Sequence, residues 1–132
     1  MSDGIDTHLL IGDETALPAI ARRLQELPQS ARALVVVELG EQSARPRLRS
    51  AANLQIVWVP RDESGAPQDA LIGALWSLKI PTARCFAWVA HRSQVARAIR
   101  QYLERRGLDM PSIKPAGYRQ SQSSMLAGTL PP

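Results

Sequence analysis

A chain of 132 residues with a formal net charge of +4 is long enough for one domain around a single hydrophobic core. It contains no long apolar run and no signal-like start, so we expect a cytoplasmic protein with no membrane anchor. The one cysteine, Cys85, lies in an apolar stretch, which excludes an internal disulfide and predicts an unreactive core thiol. His8 and His91 have no Cys or carboxylate neighbours at ligand spacing, so the sequence does not predict a structural zinc.

The first predicted elements are a strand over residues 8–11 and an amphipathic helix over residues 19–27. Between them lies the run Gly-Asp-Glu-Thr-Ala-Leu-Pro-Ala at residues 12–19. A strand, a tight turn and a helix in this order form a nucleotide site in many α/β proteins, because the turn brings a ligand to unpaired N–H groups at the positive end of the helix dipole.

Within this run, Gly12 is expected to end the strand sharply and to let a ligand approach the main chain. Thr15 is expected to be the N-cap, with the helix starting at about Ala16, because a cap at Asp13 would place Pro18 deep enough to clash with a helical carbonyl. A second interpretation fits equally well, in which the turn caps the helix and binds nothing. Only one glycine is present where the dinucleotide signature has three, and two carboxylates would repel a pyrophosphate.

Apolar patterns predict the remaining elements. Strands are expected over residues 31–39, 55–60 and 84–90, helices over 66–79 and 93–106, and a short last strand over 113–118. An arginine-rich loop or short turn of helix is expected over 40–53, Gly107 is expected to end the last helix, and a disordered tail is expected over 119–132. This order predicts an α/β domain over residues 1–118, with a doubly wound, mainly parallel five-stranded sheet and helices on both faces.

In a doubly wound sheet the ligand crevice lies at the carboxyl ends of the strands. Three turns are therefore expected to line the crevice: residues 12–15, the turn after Trp58, and the turn from Ala90 to Arg92. The three tryptophans lie in apolar stretches and are interpreted as core residues rather than as a ligand platform. They are Trp58, Trp76 and Trp88.

The positive charge is almost entirely arginine, whose planar guanidinium suits phosphate and carboxylate groups. One group lies in the predicted loop and comprises Arg45, Arg47 and Arg49. A second group lies on the last predicted helix and comprises Arg92, Arg97, Arg100, Arg105 and Arg106. The helix group fits either a solvated face or a surface that binds an anion or a partner.

Two other function classes find little support. Nucleic-acid binding is not expected, because no aromatic residues interleave with the arginines. A hydrolase is disfavoured, because His91 and Ser93 lie two residues apart on one turn and the sequence has no G-x-S-x-G elbow.

Residues 9–20, Leu-Leu-Ile-Gly-Asp-Glu-Thr-Ala-Leu-Pro-Ala-Ile, resemble the C-terminal domain of bacterial siderophore-interacting proteins, the flavin-dependent ferric-siderophore reductases. Residues 12–19 reproduce the characteristic motif of that family. The similarity spans residues 7–119. It continues through residues 33–38, the strand ending at Trp58, Trp88-Val89-Ala90 with the arginine-rich helix after it, and Ala116-Gly117-Tyr118.

The resemblance implies a ferredoxin-reductase-like NAD(P)H-binding domain, which in the family passes hydride to FAD, and the reduced flavin then reduces the iron of a ferric siderophore. It also implies two groups of site residues. Those flanking NADPH or NADH would be Gly12, Asp13, Glu14 and Thr15, and those near the nicotinamide would be Ala90, His91 and Arg92. A 2′-phosphate would be bound by an arginine from the set Arg45, Arg47, Arg49 and Arg61.

The sequence departs from the family pattern in three respects. It lacks the N-terminal β-barrel and the Arg-x-Tyr-Ser/Thr type motif that bind FAD, so FAD would be held only through a partner domain. The family's common Ala-Gly-Glu appears as Ala90-His91-Arg92, which adds a ring and reverses a charge. The common Gly-Tyr-Trp appears as Gly117-Tyr118-Arg119, which removes an aromatic residue.

Two alternative functions are therefore expected. The first is the NAD(P)H-binding half of a ferric-siderophore reductase, inactive alone, working with an FAD-binding barrel on a partner chain or in a longer protein. The second is a non-catalytic interaction or regulatory module of the same fold in iron metabolism. Homo-oligomer formation is left open.

Overall fold

The computed structural model describes residues 5–40, 43–61, 65–109 and 113–115, which form a parallel sheet with helices on both faces. The elements in chain order are β1 (Thr7–Asp13), a 3₁₀ turn (Glu14–Ala16), α1 (Leu17–Gln25), β2 (Arg32–Leu39), β3 (Asn53–Pro60), α2 (Pro67–Trp76), β4 (Cys85–Ala90), α3 (Ser93–Arg105) and β5 (Ile113–Pro115). The predicted α/β class with a parallel sheet is confirmed.

The strands lie in the order β3-β2-β1-β4-β5, and the pairings among these described strands are parallel. The chain moves outward from β1 to β3 and then returns to the other side of β1 at β4. The strand order therefore reverses between β1 and β4. In open α/β sheets, ligands bind at the carboxyl ends of the strands at such a switch point.

The two faces of the sheet are covered by different elements. Side chains alternate between the faces along a strand, so Leu10 packs with α1 and the 43–52 loop, whereas Leu9 and Ile11 pack with α2 and α3. β2 is covered on both sides, and seven of its eight residues are buried. This burial explains why the strand is a continuous apolar run rather than an alternating one.

Several predicted boundaries change in the structure. β1 continues through Asp13, so Gly12 lies inside the strand and does not end it. The described part of the 40–53 connection contains no helix, and α2 ends at Trp76 rather than at residue 79. Gly107 follows the C-cap residue of α3, Arg106, and has φ +110°, which confirms it as the helix stop. Predicted strand residues 116–118 and the predicted tail, 119–132, lie outside the described residues.

The tryptophan prediction is wrong at one position. Trp88 is buried and Trp58 is partly buried, but the Trp76 side chain is 70% exposed. Trp76 is the last residue of α2, and its ring lies 6.2 Å from that of Tyr102. Trp76 therefore lies beside the buried stripe, which continues from Leu71 and Leu75 to Leu78.

The arginines of the last helix have two different environments. Arg92, Arg97 and Arg105 are exposed, as expected for a solvated face. Arg106 is instead partly buried and donates hydrogen bonds to the carbonyls of Leu75 and Leu78, at 2.9 and 3.0 Å. The Leu75 carbonyl also accepts the N–H of Leu78, so Arg106 adds a second bond there and links the end of α3 to the end of α2.

Cys85 is buried at the start of β4, and burial raises the pKa of its thiol to about 11. The predicted unreactive core thiol thus has a physical basis. Within the described ranges, no helix has the length and apolar character needed to cross a membrane.

Candidate functional site

The carboxyl edge of the sheet brings together predicted site residues from the ends of β1, β3 and β4, and Glu38 of β2 lies beside them. Asp13 at the end of β1 is in register with Glu38 of β2, and Gly12 is in register with Ala90 of β4. Arg61 follows β3 directly and donates its backbone N–H to the carbonyl of Leu39, at 2.8 Å. This edge contains two turns with different chemistry, one after β1 and one after β4.

Gly12 serves close packing at the β1 turn. A Cβ at this position would lie 2.8 Å from the carbonyl oxygen of Ala90 and 2.9 Å from the Cβ of Ala16. Gly12 also has no positive φ. The structure therefore shows why a side chain is excluded at this position, because the chain itself fills the space that a Cβ would occupy. The approach of a ligand to the main chain at Gly12 stays a prediction.

The first turn is capped by Asp13 rather than by Thr15, which corrects the predicted cap. Asp13 Oδ1 accepts a 3.0 Å hydrogen bond from the backbone N–H of Thr15, and the Thr15 hydroxyl donates to the same oxygen. The reason is the 3₁₀ turn between the cap and α1. This turn leaves Pro18 at the start of the α-helix, where no N–H is needed, so a cap at Asp13 causes no clash.

Glu14 joins the β1 turn to the ends of two other strands. Its Oε1 accepts hydrogen bonds from the Gly40 backbone N–H and the Ser43 hydroxyl, each at 2.9 Å, and from Arg61 Nη2 at 3.2 Å. The Gly40 bond, followed by the Ser43 and Arg61 contacts, lowers the pKa of Glu14 below its ordinary value. Two predicted cofactor residues, Glu14 and Arg61, are therefore partners of each other.

The loop arginines make no hydrogen bond or ion pair with the edge residues in the described part of the chain, and all three are exposed. They are Arg45, Arg47 and Arg49. Their loop is fixed by the Ser50 hydroxyl, which donates to the carbonyl of Leu24 at 2.6 Å. Among the four arginines suggested for a 2′-phosphate, the structure brings Arg61 to the edge.

The β4 turn contains a buried pair that sequence reasoning missed. His91 Nε2 lies 2.8 Å from Glu38 Oε1, and each side chain is 3% exposed. The backbone N–H of Arg92 donates to His91 Nδ1 at 2.9 Å. Because Nδ1 accepts a hydrogen, the ring hydrogen of the neutral imidazole lies on Nε2 and is donated to Glu38. One signal was available, since Glu38 is the lone charged residue in the apolar run 33–39.

Both ring nitrogens of His91 are therefore engaged, which leaves none to act as a base on a substrate. The hydrolase alternative required His91 to pair with Ser93, and the described contacts do not include that pair. α3 begins at Ser93 without a capping side chain among the described residues, and Arg92 and Ser93 are both exposed beside its first turn. This helix start presents N–H groups and positive charge to solvent at the switch point.

A sequence profile described as siderophore-interacting protein matches residues 5–121. The chain belongs to this family. It is 29% identical over 100 residues to the ferric vibriobactin reductase ViuB of Vibrio cholerae, which covers 74% of this chain and 36% of ViuB. The chain thus spans about a third of the length of the curated relatives it matches.

Solved structures of siderophore-related proteins share the fold. A siderophore utilization protein from T. fusca is 33% identical, with a TM-score of 0.69 over 83% of this chain and 43% of that protein. The siderophore-interacting protein SipS from Aeromonas hydrophila is 20% identical, with a TM-score of 0.71 over 83% of this chain and 45% of SipS. The parallel sheet and its helices are therefore a known architecture in this family.

Proposed function

We propose that this domain is the NAD(P)H-binding part of a flavin-dependent ferric-siderophore reductase, with the ferredoxin-reductase-like variant of the doubly wound fold. The observation that carries the proposal is the strand reversal between β1 and β4, beside the start of α3, which no side chain of the described residues caps. Membership of the siderophore-interacting protein family, and similarity to a protein named as a ferric reductase, support the same function.

The edge residues fit a dinucleotide better at the β4 turn than at the β1 turn. At the β4 turn, the first N–H groups of α3 and the exposed Arg92 would bind an anionic phosphate group. At the β1 turn, the carboxylates of Asp13 and Glu14 oppose an anion, and Thr15 already bonds to Asp13. The β1 turn would therefore form a wall of the site.

The other predicted site residues would have smaller roles in binding the dinucleotide. Gly12 and Ala90 would keep the two strand ends in contact, and His91 would face the dinucleotide from the β4 turn. Arg61 would bind a 2′-phosphate only by giving up its 3.2 Å contact with Glu14. When bound, NAD(P)H supplies a hydride, and this domain contributes binding and orientation.

The proposal assigns the flavin to an FAD-binding barrel outside this sequence, on a partner chain or elsewhere in a longer protein. In that arrangement the substrate is a ferric siderophore, and the reaction takes place in the cytoplasm. The chain described here supplies one of the two parts that the reaction requires.

Titration with NADPH and NADH, with and without FAD, tests the proposal. We expect saturable binding by the wild-type domain and weaker binding by Arg92→Ala, because the substitution removes a positive charge at the start of α3. Arg105→Ala is the matched control, since Arg105 is an exposed arginine at the other end of the same helix. Absence of binding at millimolar concentrations of both dinucleotides would overturn the proposal.

A non-catalytic module of the same fold is the second candidate, and one observation favours it. The His91–Glu38 pair is buried at the switch point, where a ligand would otherwise enter. This candidate predicts that the double variant His91→Gly, Arg92→Glu transfers no hydride even when an FAD-binding domain is supplied. A gain of reductase activity in that assay would contradict it and support an altered enzyme.

A further inference from the structure

The buried Glu38–His91 pair lies across the end of β1. Glu38 continues the side of β2 that carries Leu34 and Val36, and His91 continues the side of β4 that carries Val89. Leu34, Val36 and Val89 pack with residues of α2 and α3. β1 separates the two strands, so the 2.8 Å contact between Oε1 and Nε2 spans the carboxyl end of the central strand.

This position coincides with the switch point of the sheet, between the ends of β1 and β4. The general rule for open α/β sheets places the ligand crevice there. The imidazole and the carboxyl group are each 3% exposed, so the chain's own side chains fill this part of the edge.

The pair is also coupled to the backbone of the turn. His91 Nδ1 accepts the N–H of Arg92, the residue immediately before α3. The ring therefore cannot swing away from Glu38 without also releasing the Arg92 amide. Because both ring nitrogens are engaged, His91 acts here by its position rather than by proton transfer.

We propose that the Glu38–His91 hydrogen bond is an internal gate of the dinucleotide site. When the bond is formed, the imidazole closes the crevice between β1 and β4, and NAD(P)H enters only when the bond breaks and the ring moves. The gate rests on the proposed dinucleotide-binding function and adds to it a contact that limits access.

The gate is tested by measuring the NADPH affinity of variants at His91 and at Glu38, the two partners of the hydrogen bond. We expect His91→Gly to tighten the dissociation constant about tenfold, the gain for a crevice that is closed in roughly nine molecules of ten. Glu38→Ala should shift the affinity in the same direction, and Glu38→Gln should shift it less because the amide oxygen still accepts the His91 hydrogen. His8→Ala is the control, because His8 lies near the amino end of β1, away from the switch point.

A spectroscopic measurement on the wild-type protein covers the case in which a variant does not fold. Saturation with NADPH should shift the amide resonance of Arg92 and the imidazole resonances of His91, because both report the same hydrogen-bonded turn.

These experiments distinguish failure of the proposed gate from failure of the proposed dinucleotide binding. Equal NADPH affinity in wild type and His91→Gly, or unchanged Arg92 and His91 resonances at saturation, would overturn the gate and leave dinucleotide binding intact. Failure of wild type and His91→Gly alike to bind NADPH or NADH would overturn both.

Discussion

The turns after β1 and β4 lie at the same edge of one sheet, but they use their polar groups differently. At the β1 turn, Asp13 caps the chain locally, and Glu14 binds groups from the ends of β2 and β3. At the β4 turn, His91 bonds to Glu38, and the start of α3 has no side-chain cap among the described residues. The first turn is thus closed by its own contacts, whereas the second offers N–H groups and an exposed Arg92.

A sequence motif characteristic of a family therefore need not carry free binding groups. Residues 12–19 carry the most specific similarity, yet Gly12 is packed against Ala90 and Ala16. Packing of this kind constrains the residue type at Gly12 because protein interiors are close-packed.

The largest effect is expected for Gly12→Ala. Its new Cβ would lie 2.8 Å from the Ala90 carbonyl oxygen, which is backbone and cannot easily move. We expect a loss of about 1–3 kcal/mol in the free energy of unfolding, measured by urea denaturation.

Gly73→Ala is the matched control, because Gly73 lies within α2 and a Cβ there would have no neighbour within 4 Å. This control should stabilise the protein by about 0.5–1 kcal/mol. Equal effects of the two substitutions would show that Gly12 is not required for packing.

A smaller effect on the free energy of unfolding is expected for Glu14→Gln, and this effect should depend on pH. The Gly40, Ser43 and Arg61 contacts lower the Glu14 pKa below 4.5, so its stabilising contribution is full above pH 4.5 and is lost as the pH falls through the folded-state pKa. Glu14→Gln should therefore lower the urea midpoint at neutral pH, and the difference from wild type should shrink in acid.

Glu26→Gln provides the comparison for Glu14, since Glu26 is exposed at the end of α1. We expect this substitution to leave the midpoint unchanged across the same pH range. A constant difference between wild type and Glu14→Gln down to acid pH would contradict the role assigned to the Glu14 contacts.

The smallest effect is expected for Cys85, at the amino end of β4. Cys85 is 2% exposed, with a thiol pKa of about 11, so a thiol reagent at pH 8 should label it only slowly in the folded protein. Full labelling is expected in urea. Rapid labelling of the folded protein would mean that β4 opens at its amino end.

Much of the fold could be predicted from local patterns. The run Leu34 to Val37 indicates a strand buried on both faces, and the spacing of Val95, Ile99 and Leu103 indicates a helix with one apolar side. Both patterns depend only on residues close together in sequence, so they can be recognised without knowledge of the tertiary structure. The predicted end of α2 was too late because buried apolar residues continue at Leu78, after the helix has ended at Trp76.

The site was predictable only in outline. Strand order places the turns at residues 12–15 and 90–92 on one edge, but the partners of their side chains come from distant parts of the chain. Glu14 and Arg61 are 47 residues apart in sequence, and His91 and Glu38 are 53 apart. No local pattern encodes which polar groups meet across parallel strands.

By itself, the sequence determined the α/β class, the alternation of strands and helices, and the family to which the chain belongs. These depend on apolar periodicity and on a local motif. The tertiary structure alone decided that Gly12 packs against Ala90 and that Glu38 holds His91 at the switch point. Those outcomes follow from the register of β2, β1 and β4, which brings side chains together only after the sheet has formed.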